Sequence, residues 1–139
     1  MEAILPELPV HAQNDPARWR WAGRVLTGLP VLFMAFDAVI KFADRPEVAR
    51  ASAQLGWPPS LNPVLGVLIS LCLALYLWPR TAVLGATLFT GYLGGAVAIH
   101  ARVGNPLLTH TLFPVYIGGL LWAGLALRNG SVRALVLAK

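Results

Sequence analysis

Residues 81 to 102 read TAVLGATLFTGYLGGAVAIHAR, in which nineteen uncharged residues run without a break into His100 and Arg102. At about 1.5 Å per residue such a helix is about 30 Å long, the thickness of bilayer hydrocarbon. Lipid offers no partner to an unpaired backbone group, so a run of this kind is expected to cross a membrane as a helix.

The rest of the chain agrees with that segment. Of its 139 residues 57% are hydrophobic and 12% charged, and the mean hydropathy is +0.65, far more apolar than a soluble domain of this size needs. The net charge of +5 does not point to nucleic acid, because Lys and Arg are scattered around apolar stretches and form no basic patch interleaved with aromatics. Cys72 is the one cysteine and lies in an apolar run, which excludes an intrachain disulfide and a CxxC redox pair.

Four spans are expected, at about 23 to 42, 63 to 78, 82 to 100 and 107 to 127. The fold class that follows is all-α, an integral membrane four-helix bundle with a short amphipathic helix in the outer loop between helices 1 and 2. The expected divisions are a cytoplasmic N-terminal segment over 1–20, the transmembrane domain over 21–130 and a cytoplasmic tail over 131–139. The opening residues carry two acids and two prolines ahead of His11, and no Lys or Arg before Arg18, unlike a signal peptide. Trp19 and Trp21, beside Arg18, Arg20 and Arg24, read as an interfacial anchor.

In the loop after the first span, Asp44 is placed to cap a short helix and Gly56 to end it. Pro79 fits the first turn of the third span, so spans two and three should form a tight antiparallel hairpin. Asn105-Pro106 repeats the cap-then-proline signal before span four. Pro114 then deprives the His110 carbonyl of its helical donor, which leaves two options, a kinked helix or a later start.

With four spans, Arg18, Arg20, Arg24, Arg80, Arg128, Arg133 and Lys139 fall on one side, and Lys41, Arg45, Arg50 and Arg102 on the other. The excess of basic residues predicts that both termini are cytoplasmic, in an inner membrane.

This topology gathers the unusual polar residues at the outer end. Asp37 and Lys41 are one helical turn apart with the acid first, the better order for a pair. On a helical wheel they share a stripe with Thr27, Pro30 and Met34, which should face protein or water and not lipid. Two readings stand for this stripe: a structural ion pair that fixes helix orientation, or a ligand or proton site. His100 and Arg102 end span three and His110 opens span four, either as interfacial residues or as part of one pocket.

The wheel groups Gly91, Gly94, Gly95 and Arg102 on one face and His100 with Phe89, Leu93 and Ala96 on the other. If Gly91-xxx-Gly95 marks the closest helix packing, Arg102 is the better candidate for the pocket and His100 faces elsewhere. Two histidines without a third ligand do not make a metal site, and no haem or other cofactor is expected from them. No G-x-S-x-G, Walker, H-E-x-x-H or paired-carboxylate pattern occurs. The balance is against an enzyme, and no catalytic residue is assigned.

The run Leu75-Tyr76-Leu77-Trp78-Pro79-Arg80-Thr81-Ala82-Val83-Leu84-Gly85-Ala86, with Thr90-Gly91-Tyr92-Leu93-Gly94-Gly95 and His100-Ala101-Arg102-Val103-Gly104, resembles the central signature of DoxX-like membrane proteins. His110 to Tyr116 and Leu121-Trp122 resemble their fourth helix, and the likeness extends over about 22 to 137. Asp37 to Lys41 and Leu55-Gly56-Trp57-Pro58 carry it in the first half. The resemblance implies a four-helix membrane bundle. The family takes its name from a subunit of a quinone-linked membrane oxidoreductase, while some relatives look like assembly factors. Where members of the wider group often carry an acid in the second helix, this chain has Leu68-Ile69-Ser70-Leu71.

The functional expectation is a non-catalytic accessory component beside a membrane or peripheral oxidoreductase. Its candidate ligand is a quinone or a lipid headgroup at Asp37, Lys41, His100, Arg102 and His110. The alternative is a scaffold or assembly factor with no small-molecule site and a structural polar cluster.

Overall fold

A computed structural model describes residues 17–43 and 45–137. The N-terminal lead-in, the expected Asp44 cap and the side chains of Arg18, Trp19 and Arg20 lie outside what it describes. Four stretches are long and apolar enough to cross a bilayer: Trp21–Phe42, Pro59–Leu77, Ala82–Arg102 and Leu107–Arg128. They belong to helices α1 (Ala17–Phe42), α3 (Asn62–Leu77), α4 (Ala82–Arg102) and α5 (Phe113–Arg128), with α2 (Pro46–Gln54) in the first loop and α6 (Gly130–Leu137) after the last span. Helix α1 packs on α3 and α5, and α4 packs on the same two, so α1 and α4 face each other across a four-helix ring.

Glycines set the closest approaches between helices, though not those singled out by the GxxxG pattern. A Cβ on Gly85 would run into the Tyr76 backbone of α3, one on Gly124 would lie 2.5 Å from Thr27 Oγ1 of α1, and one on Gly66 would lie 2.9 Å from the Phe42 ring. At Gly91, Gly94 and Gly95 an added Cβ would meet nothing within 4 Å. The expectation that Gly91-xxx-Gly95 packs tightly is therefore corrected, because this part of α4 is across the ring from α1 and has no backbone against it.

The core is centred on Tyr76, which is fully buried together with Phe89, Ile69 and Met34. Its hydroxyl donates to the Leu121 carbonyl at 2.7 Å, its ring meets Phe89 edge-on at 6.2 Å, and its own carbonyl accepts from Arg128 at 2.9 Å. A buried tyrosine in lipid needs such a partner, since an unmet hydroxyl would cost about 1–3 kcal/mol. Between α4 and α5, the Trp122 indole donates to Thr90 Oγ1 at 2.9 Å.

The connections refine the sequence reading. Helix α2 lies where a short amphipathic helix was expected, and Gly56 ends it with a left-handed φ of 68°, its N–H donating to Ala53 O at 2.9 Å. Ser52 Oγ donates to Asn62 Oδ1 at 2.8 Å, tying α2 to the start of α3. The α3–α4 hairpin is tight as expected. Pro79, however, sits in the turn before α4 and not in its first helical turn, and Thr81 N–H donates to Trp78 O across it at 3.0 Å.

Asn105 does not cap span four; its amide instead reaches His100 Nδ1 at 2.7 Å. A single π turn over Leu107–Thr111 precedes α5, which starts at Phe113 with Pro114 in its first turn. Of the two options for Pro114, the later start is the one adopted, because at that position its missing N–H is not needed. Residues expected as a tail form α6, whose start is capped by Asn129 Oδ1 accepting from Ser131 N at 3.1 Å.

Candidate functional site: a polar-tipped cavity between α1, α4 and α5

Because α1 and α4 face each other across the ring, and α4 carries glycine at 91 and 95, the two helices do not close on each other at that level. The space left is a cavity of about 400 Å³. Its walls are mainly apolar, from Phe33 and Met34 of α1, Leu93 and Ile99 of α4, and Phe113 and Ile117 of α5. Phe33 and Phe113 meet edge-on at 5.2 Å, and both are exposed, as are Gly91 and Gly95. The cavity therefore reaches the flank of the bundle that lipid would cover.

Polar groups collect in this apolar enclosure. Asp37, Lys41, Ser52, Trp57, Tyr92 and His100 all line it. Lys41 Nζ lies 3.8 Å from Asp37 Oδ1, with the two side chains 19% and 24% exposed. That separation is a loose ion pair, and it leaves the ammonium with donors to spare. Tyr92, from α4, lines the cavity opposite Asp37 and brings a phenol to the same polar end. Along α1 the expected stripe does turn inward, with Pro30 and Met34 buried and Thr27, Asp37 and Lys41 half-buried. Trp57 comes from the loop after α2, and its indole N–H is buried without a hydrogen-bond partner among the described residues.

The sequence-derived candidates separate into two groups. Asp37, Lys41 and His100 share the cavity; Arg102 and His110 are not in its lining. Arg102 is exposed and donates from Nη2 to the Leu55 carbonyl at 2.8 Å, so it clips the end of α2. His110 is exposed on the π turn, with its ring 6.2 Å from that of His100 and Thr109 Oγ1 2.8 Å from its Nδ1. The preference for Arg102 over His100 is thus reversed. The wheel grouped His100 correctly with Phe89 and Leu93, and that face, not the glycine face, is the buried one. Among the described residues no three His, Cys, Asp or Glu side chains converge as a metal set.

Tyr92 and Trp57 were not among the candidates. Tyr92 had a signal, since it lies two turns before His100 on α4 and is a polar aromatic inside a membrane span. Trp57 had none beyond its membership of the Leu55-Gly56-Trp57-Pro58 run, because only the folding back of the loop brings it to the cavity.

Comparison with known proteins gives the family. The model of the DoxX-like family matches residues 25–124. The chain belongs to the DoxX-like family. That match spans all four membrane helices and includes every residue of the cavity lining. No curated protein and no solved structure matches the chain.

Proposed function

We propose that this DoxX-like protein is a non-catalytic accessory component of a quinone-linked membrane system, holding a lipophilic molecule with an oxygen-bearing head in the α1–α4–α5 cavity. The observation that carries the reading is the pairing of apolar walls with hydrogen-bond donors inside one enclosure that reaches the lipid-facing flank. Lys41 and Trp57 would donate to a carbonyl oxygen, Tyr92 and Asp37 would hold Lys41 in place, and His100 would meet a second oxygen as donor or acceptor. A quinone suits this set because it has two carbonyl acceptors and an isoprenoid tail. When bound it supplies two-electron acceptor chemistry, and the partner oxidoreductase would supply the electrons.

Orientation belongs to the same reading. Arg24, Arg80, Arg128 and Arg133 mark one end, and Lys41, Arg45, Arg50 and Arg102 the other; with the basic residues at 18, 20 and 139 the first end is the more basic. The proposal therefore places the termini in the cytoplasm and the polar tip of the cavity towards the outer leaflet of an inner membrane. A reporter fused after Lys139 should score cytoplasmic and one within 45–55 external.

The deciding experiment is native mass spectrometry of protein extracted with its surrounding lipid. Wild type should retain a quinone, and the Asp37→Asn, Lys41→Met double variant, which leaves no orphan charge, should lose it while staying folded. Equal retention in both would remove the cavity from the account and leave a scaffold.

A further inference from the structure

The bundle has a second cavity at its opposite end, of about 570 Å³, between the start of α1 and the ends of α3 and α5. Two guanidinium groups, Arg24 and Arg128, stand on it, and Val31, Leu77 and Leu127 give it an apolar wall. Arg24, Thr27, Gly28 and Val31 follow one another at helical spacing on a single face of α1. At Gly28 an added Cβ would meet nothing within 4 Å, so the space beside α1 is open there.

Both arginines lie against aromatic rings, and among the described residues neither meets a carboxylate. Arg128 lies 4.6 Å over the Tyr76 ring and gives one N–H to the Tyr76 carbonyl, which leaves the rest of its planar donor set pointing elsewhere. Arg24 lies 5.8 Å from the Trp21 ring centre. Among the described residues the ion pairs are Lys41 with Asp37 and Arg50 with Glu47, neither of which involves these two. Thr27 lines the same cavity with its methyl-bearing side chain, while its hydroxyl is turned to Gly124 and has no hydrogen-bond partner among the described residues.

We propose that this cavity is a binding site for an anionic phospholipid, with the phosphate between Arg24 and Arg128 and an acyl chain along Val31, Leu77 and Leu127. Planar guanidinium donors bind phosphate oxygens two at a time, which a zwitterionic headgroup satisfies less well because its own ammonium competes. A basic pocket between membrane helices recognises anionic headgroups on the same physical grounds. The site is separate from the quinone-type cavity and stands whether or not that reading holds.

The test is native mass spectrometry of the full chain from mixed micelles holding equal amounts of phosphatidylglycerol and phosphatidylcholine. Wild type should retain one phosphatidylglycerol in preference. Arg24→Gln should lower that retention about tenfold or more, the loss of a charge-assisted hydrogen bond, and Arg24→Lys, which keeps the charge without the planar fork, should restore only part of it. Arg80→Gln, an exposed cation at the same end but outside the cavity, should leave retention unchanged. Inorganic phosphate or glycerol phosphate at millimolar level should not displace the lipid. Equal losses in Arg24→Gln and Arg80→Gln, equal retention of the two lipids, or displacement by the free anion would each overturn the site as described.

Discussion

Replacing glycine by alanine at two positions of α4 should have opposite consequences, and the sign is set by what stands opposite each Cα. At Gly85 the new methyl would be driven into the Tyr76 backbone, 2.6 Å from its Cα and 2.8 Å from the carbonyl carbon of Leu75. Backbone cannot rotate away as a side chain can, so α3 and α4 would have to separate. That strain falls on Tyr76, whose hydroxyl bond to Leu121 joins α3 to α5. Overpacking typically costs ~1–3 kcal/mol, and with rigid neighbours the upper end, about 3 kcal/mol, is expected. At Gly95 the methyl would enter the cavity and meet nothing within 4 Å. The better helix propensity of alanine is worth at most about 1 kcal/mol, and less in a bilayer where the unfolded span stays helical. Reversible unfolding in mixed micelles, followed by near-ultraviolet circular dichroism, should show Gly85→Ala strongly destabilised and Gly95→Ala equal to wild type or slightly better. A Gly95→Ala loss above 2 kcal/mol, or a neutral Gly85→Ala, would refute this assignment of the helix seams.

Other expectations follow from the same geometry. Asp37→Asn alone should destabilise more than Asp37→Asn combined with Lys41→Met, because the single change strands a charge in a span; additive losses in a detergent unfolding cycle would show that the two side chains do not couple. Tyr76→Phe should cost about 1 kcal/mol by leaving the core intact but losing the bond to Leu121, as read from the same unfolding assay. Arg102→Ala should speed hydrogen exchange over 46–56, since the Leu55 carbonyl loses its clip, and should leave retention in the cavity unchanged.

Most of the architecture was legible because span length and hydrophobicity report directly on bilayer thickness. The end of the short helix in the first loop was legible from Gly56, because the left-handed backbone it adopts there is a local preference of glycine. What misled was the glycine pattern. Gly91 and Gly95 have the spacing of a close-packed seam, yet spacing alone does not say whether a bare Cα meets a neighbouring backbone or borders a space. The inward face of α4 was instead marked by its bulk, Phe89 and Leu93, and that face carries His100. Asn105 carried a capping signal and Pro79 a first-turn signal; the Asn105 amide is instead engaged by His100 five residues earlier, and Pro79 by the Trp78–Thr81 turn. Tyr76 as the centre of the core, and Trp57 over the cavity, depend on contacts across the fold that no local pattern encodes.

The central claim, that the α1–α4–α5 cavity receives a quinone-type molecule, is tested most directly at Trp57, because quinones quench indole fluorescence at short range and this indole lines the cavity. A variant keeping Trp57 as its sole tryptophan, with phenylalanine at 19, 21, 78 and 122, would be titrated with a short-chain benzoquinone. The account predicts saturable quenching that disappears when Gly95→Leu fills the cavity. Quenching that rises without saturation and is the same with and without Gly95→Leu would contradict it.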